Sequence, residues 1–120
     1  MTVRLTCHCG AVEIRATLLD GLSTIRRCDC SFCARRQAAA VSARAGDVHV
    51  VRGADALTLY QWGTMTAEHY FCARCGIYTH HRRRSNPEEF GLNAACIEGV
   101  DIRALEPVPC ADGRAHTSDR

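Results

Sequence analysis

Apolar positions in this chain recur mostly at every second residue, the period of a half-buried β-strand. In "AVEIRATL", Val12, Ile14, Ala16 and Leu18 fall on one face, and Cys9-Gly10 before them supplies a turn. "AVSARAGDVHVVRG" predicts a strand, a break at Gly46-Asp47, and a second strand in which Val48 and Val50 alternate with His49 and Val51. "ALTLYQWG" and "TAEHYFC" predict paired strands around Gly63, and "GIYTHH" another short strand. "EEFGLNAACIEG" predicts a last strand between Pro87 and Gly99, and "STIRRC" a short one leading into the cysteines that follow. "SFCARRQAA" differs: Ser31 suits an N-cap and good helix formers follow, so about two helical turns are expected. Beyond "EPVPC" the chain turns polar, and "ADGRAHTSDR" reads as a loose tail. Many short strands with one small helix predict a mainly β fold, with one domain over 3–104 and a C-terminal tail over 105–120.

Composition adds a constraint on what holds the fold together. A chain of 120 residues with 6% aromatics must build a modest core from Val, Ile, Leu and Ala, and gains from a cross-link or a metal. All 15 basic residues are arginine, which excludes lysine Schiff-base chemistry. No apolar run has signal-peptide character or membrane-span length. The 9 cysteines, an odd count in so short a chain, therefore read as metal ligands in a cytoplasmic protein rather than as disulfides. The formal charge of +2 changes with that reading: seven thiols lose seven protons and two zinc ions restore four charges, leaving −1. Such a near-neutral protein has no general electrostatic footprint for nucleic acid.

Three cysteine groups carry the chemistry. Cys72-Ala73-Arg74-Cys75-Gly76 is a zinc-knuckle spelling, in which a tight turn presents two sulfurs on one side. Cys7-His8-Cys9-Gly10 has the same trailing glycine, and joining the pairs predicts a closed structural zinc site of Cys7, Cys9, Cys72 and Cys75. By analogy with a disulfide, closing that loop stabilises the fold by about 4 kcal/mol. A reactive C-x-x-C dithiol would need a βαβ context that the pattern lacks.

The remaining triplet, Cys28, Cys30 and Cys33, has no partner pair. Possible fourth ligands are Cys96, Cys110, His8, His49, His69, His80, His81 and His116, none with a spacing signal. Cys96 sits in an apolar strand and reads as a small buried hydrophobe, Cys110 as incidental, and His80 and His81 as a polar or anion-facing edge beside Arg82, Arg83 and Arg84. The triplet also reads as an open three-cysteine zinc, whose soft ligand set suits an external thiol held as thiolate. A small aldehyde is a fitting electrophile, and Arg35, Arg36 and Arg82 to Arg84 are candidates for holding the carboxylates of an anionic thiol.

The order C-x-C-G, C-x-C-S-x-C-x-R, F-C-x-x-C-G and N-x-x-C-I-E-G resembles the glutathione-dependent formaldehyde-activating enzyme family, which shares a domain type with centromere protein V. The resemblance spans about Val3 to Ile102. It implies a β-tent zinc-binding fold and two zinc ions, structural at Cys7, Cys9, Cys72 and Cys75 and catalytic at Cys28, Cys30 and Cys33. It also implies the condensation of formaldehyde with glutathione to S-hydroxymethylglutathione, a carbon–sulfur lyase activity. Where members of that family often carry histidine, between the first two cysteines of the triplet, this chain has Asp29. Two other readings stay open. A non-catalytic zinc module would bind a protein, nucleic acid or glutathione and keep the triplet zinc closed. A redox sensor would leave the triplet cysteines free of metal.

Overall fold

The computed structural model describes residues 1–115. The fold is mainly β with a single short α-helix, as the patterning predicts. Strands β1 (Thr2–Thr6), β2 (Glu13–Thr17) and β5 (Val48–Arg52) form an antiparallel sheet in the order β1-β2-β5. A second antiparallel sheet has the order β4-β9-β8-β7-β6, from β4 (Ala40–Arg44), β6 (Leu57–Tyr60), β7 (Glu68–Cys72), β8 (Tyr78–Arg82) and β9 (Glu89–Asn93). The inward residues of both sheets share one core, with Leu5, Val12 and Ile14 of the first against Val41 and Leu92 of the second. Val12, Ile14, Ala16 and Leu18 are all buried, so the alternation in the sequence marks the inner face correctly.

Three local expectations need correction. "STIRRC" is not a strand from its start: Gly21–Thr24 form a 3-10 turn, and only Arg27–Cys28 become strand β3. The Ser23 hydroxyl donates to the Asp20 backbone carbonyl and lies 2.8 Å from its carboxylate, a local bond that competes with extended pairing. The two strands of "AVSARAGDVHVVRG" form as expected, and β4 and β5 enter different sheets. The strand expected between Pro87 and Gly99 stops at Asn93 and is not the last; the Asn93 side chain accepts the Ala95 N–H and turns the chain into a 3-10 segment, Ala94–Cys96. Finally, "ADGRAHTSDR" is not loose where it begins. Cys110–Ala111 form strand β10, parallel to β3, and Gly113 packs on the cysteine triplet.

Candidate metal centres

Cys7 directly follows β1, Cys9 lies in the turn to β2, Cys72 closes β7, and Cys75 lies in the turn to β8. Gly10 and Gly76 follow these turns with φ of 79° and 78°, a left-handed geometry that glycine adopts without Cβ strain. Their N–H groups close the turns, Gly10 onto the Cys7 carbonyl and Gly76 onto the Cys72 carbonyl at 2.7 Å. The four sulfurs thus lie within 4.8 Å of one another and join the two sheets. Tetrahedral zinc with sulfurs at about 2.3 Å requires sulfur separations of about 3.8 Å. Cys7–Cys9 and Cys9–Cys72 both stand at 3.7 Å, so the donor set fits zinc. The Val12 N–H donates to the Cys7 sulfur at 3.3 Å, and the Cys9 N–H, directed at Cys75, pulls that thiol down to about 6. Backbone donors thus favour thiolates at this site.

Cys28, Cys30 and Cys33 also bring their sulfurs within 4.8 Å of one another. They come from β3, the cap and the first turn of helix α1 (Ser31–Arg36). The expected Ser31 cap is corrected here: the cap is Cys30, whose sulfur accepts the Cys33 N–H at 3.3 Å. The cysteine therefore serves the helix start and the cluster together. The Cys33 thiol draws Cys28 down to about 5, while the same bond pushes Cys33 up, as expected of thiols sharing protons. Among the described residues, no histidine, cysteine, aspartate or glutamate adds a fourth ligand atom within that distance of all three.

The possible fourth ligands are placed as follows. His8 and His49 are exposed, and Cys110 is exposed on β10. Cys96 lies beside the Asn93 amide and packs on the core, where burial pushes its thiol up to about 11. His116 lies outside the described residues. Of the two neighbouring histidines, His80 is no edge residue, buried between Tyr70 and Phe90, whereas His81 stacks on His69, bonds the Tyr78 hydroxyl at 2.6 Å and lines the triplet's cavity with Arg83 and Arg84.

The arginine run is also tied up within the molecule. Arg82 pairs with Glu68 and covers Phe90. Arg83 is buried, donates to the Ser42 hydroxyl, and lies 3.0 Å from Glu89 in an ion pair whose angle falls short of a hydrogen bond. Arg84 donates to the Gly113 carbonyl at 3.1 Å. Arg36 is held as well: its guanidinium lies 3.8 Å from the Tyr78 ring centroid and bonds His69. Arg35 donates to the Ser31 carbonyl.

The triplet lines a cavity of about 180 Å³ whose wall includes Arg26, Trp62, His69, Arg83 and Arg84. Arg26 and Trp62 are the residues that sequence reasoning gave no place at the site; His69 stood only among the possible fourth ligands, and it lines the cavity without joining the sulfurs. No spacing singled it out, because only the pairing of β7 within its sheet brings it to the triplet; the bulge in that pairing lies in β8, at Thr79 opposite Tyr70 and Phe71. The C-terminal segment supplies the remaining wall through Ala111, Asp112 and Gly113. Among the described residues, no helix is long and apolar enough to cross a membrane.

The family model described as glutathione-dependent formaldehyde-activating enzyme matches residues 2–109. The chain is also similar to a Rhodobacter sphaeroides protein of known crystal structure, at 63% identity and a TM-score of 0.88. That alignment covers 90% of this chain and 99% of the other. With this match along nearly its whole length, the chain belongs to the glutathione-dependent formaldehyde-activating enzyme family.

Proposed function

We propose that this protein carries two zinc ions and adds a small thiol, glutathione or a close analogue, to formaldehyde or a related small aldehyde. The product is an S-hydroxyalkyl thiol, and the activity is of the carbon–sulfur lyase type. Cys7, Cys9, Cys72 and Cys75 would hold the structural ion, and Cys28, Cys30 and Cys33 the second. The observation that carries this reading is the triplet itself, three converging sulfurs in the wall of a cavity that also holds Arg26, Arg83 and Arg84. When bound, the second zinc supplies a position where an external thiol is held as thiolate near neutral pH. The arginines of the wall supply positive charge for carboxylates of an anionic thiol. The aromatic side of the cavity, with Trp62 and His69, limits the water around the reacting atoms. Nine unpaired cysteines suit a reducing compartment, and we assign the protein to the cytoplasm on that ground.

NMR-monitored condensation of formaldehyde with glutathione tests the reading. The rate should rise with protein and fall on Cys30→Ser; equal rates with and without protein would overturn it. A non-catalytic zinc module is the second reading, favoured by the close approach of Gly113 to the triplet. It predicts two bound zinc ions with no acceleration of the condensation.

A further inference from the structure

His69 Nε2 and Trp62 Nε1 are buried polar atoms without a hydrogen-bond partner, and both residues line the cavity that holds the triplet. Their hydrogen positions follow from their neighbours. A guanidinium has no acceptor, so Arg36 Nη1 must donate to His69 Nδ1 across their 3.2 Å contact. The neutral imidazole then carries its proton on Nε2. That nitrogen is an N–H donor, with no lone pair to offer a metal. Burial, aided by Arg36 and Arg84, depresses His69 to about 3 and keeps the ring neutral. The indole nitrogen of Trp62 is also a donor only. Each such buried donor left unpaired costs about 1–3 kcal/mol, a cost that an acceptor on a ligand would remove.

The two rings are held firmly. They stack with centroids 5.2 Å apart and planes within 24°. Phe32 packs edge-on to His69 at 4.7 Å, and His81 stacks on its other side at 5.1 Å. Arg26, Arg83 and Arg84 are the cations of the same wall, so its side chains are rich in donors and hold a single carboxylate, Asp112. The ligand atom that suits such a wall is an oxygen acceptor.

We propose that His69 Nε2–H and Trp62 Nε1–H form the binding site for the carbonyl oxygen of the electrophile. This rests on the thiol-plus-aldehyde reading above. A sulfur lone pair forms the S–C bond, and the C=O π pair moves to oxygen. The oxygen then takes a proton from water, while the proton of the thiol has gone to solvent. One thiol and one aldehyde give one hemithioacetal, with no change of oxidation state. His69 keeps its own proton and stabilises the oxyanion by hydrogen bonding alone.

The test uses the zinc-loaded protein and three readouts. Nitrogen-15 NMR of the imidazoles should show His69 as the Nε2–H tautomer; an Nδ1–H tautomer overturns the proposal. Formate, whose oxygen stands in for the oxyanion, should bind wild type and lose about tenfold in affinity in His69→Phe, by calorimetry. His69→Gln keeps an amide donor near the same place and should stay within about threefold of wild type. Equal formate affinity in wild type and His69→Phe, or no formate binding at all, overturns the oxygen site. In the condensation assay, His69→Phe should lower kcat about a hundredfold while the affinity for glutathione holds. If wild type condenses and His69→Phe keeps its rate within about twofold, the oxygen site falls and the thiol–aldehyde reading stands. If wild type binds formate through His69 yet does not condense, that reading falls and the oxygen site stands.

Discussion

The Asp29 carboxylate accepts the backbone N–H of Gly113 at 2.8 Å, between residues 84 positions apart. The same oxygen accepts the Arg114 N–H at 3.1 Å, and these backbone donors hold the Asp29 carboxyl below its usual range. The residue between the first two triplet cysteines is thus the clamp that lays the C-terminal segment over the site. Asp29→Ala should release it. Amide hydrogen exchange over residues 110–114 should accelerate about tenfold, the loss expected from charge-assisted bonds at a partly exposed site. Unchanged exchange would show that β10 pairing and Arg84 hold the segment without Asp29.

Gly113 has its own requirement. A Cβ there would lie 2.3 Å from the Cys28 sulfur and 3.0 Å from the Cys30 Cβ. Gly113→Ala should therefore push the segment and the triplet apart, at a cost of about 1–3 kcal/mol. Native mass spectrometry should find zinc occupancy of the second site reduced. Gly46→Ala is the control, because nothing lies within 4 Å of its Cβ position. Equal zinc content in the two variants would mean that the segment yields without disturbing the sulfurs.

The two cysteine clusters should release metal in order. The triplet provides three sulfurs and the other cluster four, so a chelator should strip the triplet first, with little change in far-ultraviolet circular dichroism. Removing the structural ion should unfold the chain, because Cys7 and Cys9 beside one sheet are tied to Cys72 and Cys75 beside the other. Cys72→Ser should cost at least about 4 kcal/mol by urea denaturation, the scale of the loop closure it opens. A single release step with simultaneous unfolding would contradict that order.

His80 predicts an acid limb of stability that is separate from the metal ligands. Burial between Tyr70 and Phe90 lowers it from 6.5 to about 4. Between those values the unfolded chain binds a proton that the folded chain does not, so stability falls as pH falls. The contribution is complete above about pH 6.5 and lost as pH drops through about 4, on the order of 3 kcal/mol. His80→Phe should flatten that limb in urea titrations between pH 4 and 6.5. The same slope in variant and wild type would assign the acid sensitivity elsewhere.

Much of the fold was legible because period-two patterning is a local signal. Val12, Ile14, Ala16 and Leu18 advertise the inner face of β2 without reference to any other segment. The four-cysteine cluster was legible for a related reason, since each pair needs only a tight turn ended by Gly10 or Gly76. Partners across the fold were not legible. The strands around Gly46 read correctly as strands, yet their assignment to two sheets depends on contacts with β2 and β9. Arg82 to Arg84 read as candidates for holding a ligand's carboxylates because nothing local announces Glu68, Glu89 or the Gly113 carbonyl.

By itself, the sequence determined a small mainly β domain, two groups of converging thiols and the family to which they belong. Those properties come from spacing within a few residues, where backbone geometry leaves few alternatives. Only the tertiary structure decided what faces the triplet. His69 and Trp62, Arg26 and the cation pair Arg83 and Arg84, and the Gly113 backbone arrive from four separate stretches of chain. Their meeting is set by a bulge in β8, ring stacking between β7 and β8, and a clamp at Asp29. These are long-range contacts, paired only once the chain has closed its loops, and no local pattern encodes them.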